Sequence, residues 1–387
     1  MTLQKARSPL ARLALLSGPM PPITPVRYYR PELDLLRLFA FSLVFLSHVA
    51  PGDEAFYAQL RIPPALADVL ISVAAGGAFG VDLFFALSSF LITTLLLREG
   101  RVRGSIDVSK FYLRRILRIW PLYFVFLFIF TPVLHFVLPN DSMPIKYIAA
   151  FALLSGNWAC VAWGFPHSVA SPLWSVSIEE QFYLAWPLVI RRWLHHLVPV
   201  ALVLLAVSFI ARFYLVYQGA VHPQIWCNTL ARLDPIACGA LIAVYVQRKE
   251  QQTLAALPTW SRVLLLVIGI TILTASARYG DFVGPRALIV YPAVTAACIA
   301  LLIAALNLKI ATDTKTTRAL IYLGRISYGL YIFHSMFVML FGVVSAHDPG
   351  DRSVRIVSAL LATIAIASIS YHLLESPFLR IKDSLRR

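Results

Sequence analysis

Charge is scarce in this sequence. Only 14% of its 387 residues are Asp, Glu, Lys or Arg, where a soluble domain averages about 25%. Another 59% are hydrophobic, and the mean hydropathy is +0.74. That shortage excludes an ordinary soluble fold and leaves an all-α integral membrane protein. Acidic residues are the scarcer kind, 19 against 34 Lys and Arg, for a net charge of +15. In a soluble chain such an excess would point to nucleic acid. Here the basic residues sit in short segments between apolar runs, the pattern that orients spans across a bilayer, so no nucleic-acid partner is expected. Cysteine is rare too. Cys160, Cys227, Cys238 and Cys298 show no CxxC spacing, so no metal site and no thiol redox centre are expected. Nothing in that spacing supports a Cys160–Cys227 disulfide. The N-terminus has too short an apolar core for a signal peptide, and its Pro and Arg content predicts an irregular basic cytoplasmic tail over residues 1–30. No internal repeat, low-complexity tract or second soluble domain is evident.

What is present in quantity is apolar runs. Those near 33–50, 78–98, 119–138, 173–190, 197–217, 228–247, 261–278, 287–307, 321–345 and 353–375 are each long enough to cross a bilayer, some barely. An eleventh candidate, 147–163, raises a question of parity that charge decides. The basic tail and the 98–118 connection (Arg98, Arg101, Arg103, Lys110, Arg114, Arg115, Arg118) belong inside, as do Arg191 and Arg192. Residues 139–146 lie outside, so an odd number of crossings must separate them from Arg191. The simplest solution makes 173–190 the fourth span and lays 147–163 along the outer interface. Ten spans follow, forming one domain over 31–382, with both termini cytoplasmic and a short tail at 383–387. Arg278 and Arg286 fall outside and dissent mildly.

Arg37 and His48 stand eleven residues apart in the first run, LDLLRLFAFSLVFLSHVA. At about 100° per residue, eleven steps return to within roughly 20° of the same helix face, about 16 Å along the axis. Ionisable groups inside a span are expensive and usually face a protein interior. Histidine is also the side chain best suited to move protons near neutral pH. The topology brings Asp82, Glu179 or Glu180, and His334 to a depth similar to that of His48. Ser177 lies in the same outer half of the fourth span. A packing role would account for any one of them, but several at one depth suggest a shared polar cavity. On the cytoplasmic side, FYLRRILRIWPLYF sets Arg114 and Arg118 at i, i+4 with Arg115 beside them. Guanidinium forks on such a face suit phosphate oxygens, although arginines there also set topology or bind anionic lipid.

The ordered set of motifs resembles the acyltransferase 3 family of bacterial integral-membrane O-acyltransferases. The matching segments are YRPELDLLRLFAFSLVFLSHV, GGAFGVDLFFALSSFLIT, FYLRRILRIWPLYF, SPLWSVSIEEQFYLAWP, GRISYGLYIFH and YHLLESPFLRIK, across roughly 28–382. The resemblance implies a ten-helix core in the bacterial cytoplasmic (inner) membrane. It implies transfer of an acyl group, commonly acetyl from acetyl-CoA, to a hydroxyl of an envelope polysaccharide, glycolipid or related carbohydrate. It points to Arg37 and His48 as the essential pair, to Arg114, Arg115 and Arg118 on the CoA side, and to Asp82 with Glu179 or Glu180 in the core. Leu35 and Ser89 replace glycines common in the family, and Ser89 is expected to affect helix packing or acceptor fit. Some members carry a C-terminal extracytoplasmic esterase-like domain; this sequence resembles the stand-alone kind.

The expected mechanism has acyl-CoA as a co-substrate, with no bound cofactor. His48 is the general base, a carboxylate (Glu179, Glu180 or Asp82) orients it, and Ser177 and His334 line the substrate site. A covalent acyl-histidine is a less favoured variant. Two rivals belong to other classes. A transporter of a glycolipid or small anion would use the intramembrane His and carboxylates as a proton relay and should show inverted repeats. A scaffold for envelope-polysaccharide assembly would tolerate His48→Ala.

Overall fold

The computed structural model describes residues 28–138, 141–248, 257–279 and 282–384. Most of the expected N-terminal tail, Lys249 and residues 385–387 lie outside these. Among the described residues the chain is helical, and its one extended feature is an isolated bridge between Ser142 and His167. The principal helices are α1 (Pro31–Val49), α2 (Pro64–Gly76), α3 (Gly80–Arg103), α4 (Val108–Val125), α5 (Trp174–Trp193) and α6 (Leu197–Tyr217). They continue with α7 (Leu233–Arg248), α8 (Thr259–Tyr279), α9 (Ala287–Ala305), α10 (Lys315–Arg325), α11 (Ser327–Leu340) and α12 (Pro349–Ser370). Local chemistry sets their ends. Pro31 starts α1 with its φ already helical, and Glu32 and Asp34 sit at the positive end of the helix dipole. Asp107, Thr314 and Asp348 cap α4, α10 and α12 by accepting a backbone N–H three residues on. Gly104, at φ 71°, stops α3.

Seven helical runs among the described residues are long and apolar enough to cross a membrane. They coincide with eight of the ten expected spans, because the run Ser171–Tyr217 holds two. The backbone leaves the helical region at Trp193 (φ −125°, ψ 39°) and His196 (φ −114°, ψ 23°), separating α5 from α6. The other two expected spans are helical but differ in kind. In α1, Glu32, Asp34 and Arg37 crowd 19 residues; α11 has only 14. Segment 147–163 forms two helices, Ile145–Ala152 and Gly156–Trp163, of eight residues each. At about 12 Å apiece, neither can cross.

Hydrogen bonds between helix ends establish which ends share a side. Arg30, before α1, donates to the Asn307 side chain after α9 (2.6 Å). Arg262, at the start of α8, donates to the Ala304 and Leu306 carbonyls (2.7 Å each). Arg101, ending α3, donates to the Gln247 carbonyl near the end of α7 (2.8 Å), and Arg114 of α4 pairs with Glu99 (2.9 Å). These contacts define a basic end. At the other end Arg352 of α12 donates to the carbonyl of Val49, which closes α1 (2.9 Å), and Arg278 of α8 pairs with Asp68 of α2 (2.6 Å). So α1, α4 and α8 run away from the basic end, while α3, α7 and α9 run toward it.

Helix α3 lies at the centre, packed against α1, α5, α7 and α9. Its crossing with α7 is close because Gly239 stands where a Cβ would overlap the Ala86 carbonyl. Ser89 enters the same crossing by donating to the Ile236 carbonyl (2.5 Å), which is how it shapes helix packing. Gly324 does for the α1–α10 crossing what Gly239 does for α3–α7: a Cβ there would overlap the Asp34 carbonyl.

Candidate active site

Two hollows open from the basic end into the bundle. The outer one, a vestibule of about 590 Å³, is lined by Tyr28, Arg30, Asp34, Arg114, Arg325 and Glu375 among others. The deeper one is lined by Phe84, Ser88, Ser175, Glu179, Tyr183 and Tyr331 among others. Arg37, Leu91, Arg115, Arg118 and Tyr328 line both, so they mark the junction.

The arginines at and beside this junction differ in what they already hold. Arg37 is paired with Asp34 (3.1 Å), and Arg114 with Glu99 (2.9 Å). Arg115 lies over the rings of Phe111 and Tyr183, 5.4 Å from each centroid, as a cation over aromatic faces. Neither Arg115 nor Arg118 has an ion-pair or hydrogen-bond partner among the described residues. Two uncommitted guanidinium groups at the neck of a cavity are suited to an anion, above all a phosphate. Tyr28 completes the vestibule's outer wall, its ring flanked by Arg30 (5.3 Å) and Arg98 (5.2 Å). Burial pushes its phenol up, so it stays a neutral hydroxyl, and that hydroxyl has no hydrogen-bond partner among the described residues.

Helical periodicity sorts the carboxylates of α5. Ser175, Glu179 and Tyr183 share one face, at i, i+4 and i+8, and line the deeper hollow. Glu179 accepts hydrogen bonds from the Ser88 hydroxyl (2.9 Å) and the Tyr183 phenol (2.8 Å). Glu180 is turned away. It accepts from the Trp120 indole (2.9 Å), and its second oxygen is buried without a partner. Ser177 is fully buried, its hydroxyl also unpartnered, and it lines neither hollow. Asp82 is elsewhere again: it is paired with buried Arg232 of the turn preceding α7 (2.7 Å). A second buried pair, Arg212 with Asp234 (3.1 Å), lies beside it, with both guanidiniums 5.0 Å from the Tyr291 ring.

The histidines occupy the other half of the bundle. His48 Nδ1 lies 2.8 Å from the Val44 carbonyl. A carbonyl can only accept, so Nδ1 carries the proton and Nε2 keeps its lone pair free. His334 is fully buried and built alike, with Nδ1 on the Tyr331 carbonyl and Nε2 without a partner. The two rings stand 5.0 Å apart, edge to face at 81°. Tyr331 links them to the deeper hollow. Its ring is 5.3 Å from His334, and its hydroxyl is bonded to the Ser175 hydroxyl (2.7 Å) and to the Pro172 carbonyl (3.1 Å).

The polar residues expected at one depth therefore separate into three places: Glu179 with the arginines, His48 with His334, and Asp82 with Arg232. No carboxylate contacts either histidine among the described residues. Sequence reasoning passed over Ser88, Ser175, Tyr183 and Tyr331, since neutral polar residues in a span carry little signal. It also passed over Arg212, Arg232 and Asp234, for which a signal existed, namely charge inside apolar runs.

Comparison with known proteins gives the family. The acyltransferase 3 family model, described as an acyltransferase domain, matches residues 30–372. Peptidoglycan O-acetyltransferase OatA of Listeria monocytogenes is 25% identical over 372 residues, covering 91% of this chain and 56% of that protein. O-acetyltransferase OatA of Staphylococcus aureus (strain NCTC 8325 / PS 47) is 28% identical over 381 residues, with 90% and 57% covered. The putative peptidoglycan O-acetyltransferase YrhL of Bacillus subtilis is 27% identical over 374 residues, with 90% and 55% covered. The chain thus spans a little over half the length of these curated relatives. No solved structure is significantly similar. With the family model covering most of its length, the chain belongs to the acyltransferase 3 family.

Proposed function

We propose that the chain is a membrane O-acyltransferase that moves an acyl group, commonly acetyl, from acyl-CoA to a hydroxyl of an envelope glycan or glycolipid. The observation that carries this reading is the run of hollows from the free Arg115 and Arg118 guanidiniums, past Glu179, to Tyr331, whose ring packs against His334 with His48 beside it. The charge pattern makes the basic end cytoplasmic, in a bacterial cytoplasmic membrane crossed ten times, and the His48 end outward. CoA phosphates rest on Arg115 and Arg118, and the thioester arm enters the deeper hollow. The acceptor hydroxyl gives its proton to His48 Nε2 as its oxygen attacks the thioester carbonyl. The tetrahedral intermediate collapses, the C–S bond breaks, and the CoA thiolate leaves and takes up a proton. The Val44 carbonyl fixes the imidazole tautomer, the job a carboxylate does in a hydrolase triad. Arg37, at the neck and about three turns of α1 from His48, positions the donor rather than the reacting carbonyl. A proton relay gains less support, since Asp82 is paired with Arg232 and no carboxylate contacts the histidines among the described residues.

The test is transfer of labelled acetyl from acetyl-CoA to endogenous acceptor in membrane vesicles. His48→Ala and Arg37→Ala should each reduce it to background while the protein remains in the membrane. Activity like wild type in well-expressed His48→Ala would remove the proposed base.

A further inference from the structure

The vestibule holds acceptors as well as cations. Six arginines line it (Arg30, Arg37, Arg114, Arg115, Arg118 and Arg325), and so do two acids, Asp34 and Glu375. One Asp34 oxygen is occupied by Arg37, while the other is buried without a hydrogen-bond partner among the described residues. Glu375 is only 6% exposed, has no ion-pair partner within 4.0 Å among the described residues, and has one oxygen without any hydrogen bond. It ends a π-helical turn, Tyr371–Glu375, the kind of helix irregularity that re-aims a side chain and recurs at functional sites. Its unpartnered oxygen lies toward α11, 3.5 Å from where a Cβ on Gly329 would stand.

A pocket for phosphate alone gains nothing from these oxygens. A carboxylate facing the same space repels phosphate and lowers its affinity. Buried acceptors without hydrogen-bond partners, set beside unpaired cations, are complementary to a ligand that carries phosphates together with N–H donors. An acyl phosphate has the first and lacks the second. A nucleotide-linked thioester has both, through the amides of its pantetheine arm and the amine of its base. Resting on the reading of this hollow as the donor site, we propose that Glu375, with Asp34 of the same vestibule, accepts hydrogen bonds from N–H groups of the acyl-CoA donor.

The sign of one substitution decides the matter. The full chain is placed in nanodiscs of phosphatidylcholine, whose headgroup has no N–H to compete, and CoA affinity is measured by calorimetry. Loss of a buried hydrogen bond should make Glu375→Ala bind CoA about tenfold more weakly. Glu375→Gln keeps an acceptor oxygen and should bind nearly as wild type does. Of two fragments, adenosine bisphosphate and phosphopantetheine, at least one should show the same loss. CoA affinity that is unchanged or tighter in Glu375→Ala, alongside weakened binding in Arg115→Gln, overturns this inference and leaves the donor site standing. Failure of the wild-type protein to bind CoA overturns both. Should Glu375→Ala not fold, the wild-type protein answers by itself. CoA must then bind at least about tenfold more tightly than inorganic pyrophosphate, and equal affinities mean that only phosphate is read.

Discussion

At the scale of single residues, adjacent positions turn out to have very different surroundings. Arg114 and Arg115 are neighbours, yet one is held by Glu99 and the other lies free over two aromatic rings at the cavity neck. Arg115→Gln should therefore raise the KM for acyl-CoA about ten- to a hundredfold, the equivalent of one charge-assisted hydrogen bond of about 1.5–3 kcal/mol. Arg115→Lys should cost less, because charge survives the loss of the fork. Arg114→Gln should move KM less than Arg115→Gln does. Steady-state kinetics with acyl-CoA varied checks the order, and equal effects from Arg114 and Arg115 would contradict it. Glu179 and Glu180 diverge in the same way: one faces the hollow, the other the Trp120 indole.

At the scale of helices, the bundle is set by close crossings at glycine and by buried charge. Gly324→Ala and Gly239→Ala each push a methyl group into a backbone carbonyl of the neighbouring helix and should lower the unfolding temperature in detergent sharply. Gly100→Ala, whose new methyl would meet Ile106 at an ordinary 3.6 Å, should be neutral or slightly stabilising. Thermal unfolding of the three variants checks this ranking, and a tolerant Gly324→Ala would mean that α1 and α10 are not so closely apposed. Part of this scale was legible in the sequence: the order of the apolar runs, and a segment 147–163 that does not cross. The helix face on which each polar residue stands, and so its partner, was not legible. Period and length place Asp82 near the outer end of α3. Only tertiary packing reveals that it turns to Arg232, 150 positions away, and not to His48. The choice between Glu179 and Glu180 likewise needed the neighbours of α5, because a step of about 100° sends adjacent side chains to different helices.

At the scale of the whole molecule, the proposal has chemistry beginning at one end and finishing at the other. In a background without the four native cysteines, Ser105→Cys should react with impermeant thiol reagents only from the cytoplasm, and Asp348→Cys only from outside. Labelling of both from one side would contradict the alternation of helix ends and place donor and base in the same compartment. The central claim is acyl transfer to an envelope glycan with His48 as base. It is tested most directly by mass spectrometry of envelope glycans from cells making either the wild-type chain or an equally abundant His48→Ala chain. The expected result is an acyl mass increment on a glycan hydroxyl in the first and none in the second; the same increment in both would contradict the account.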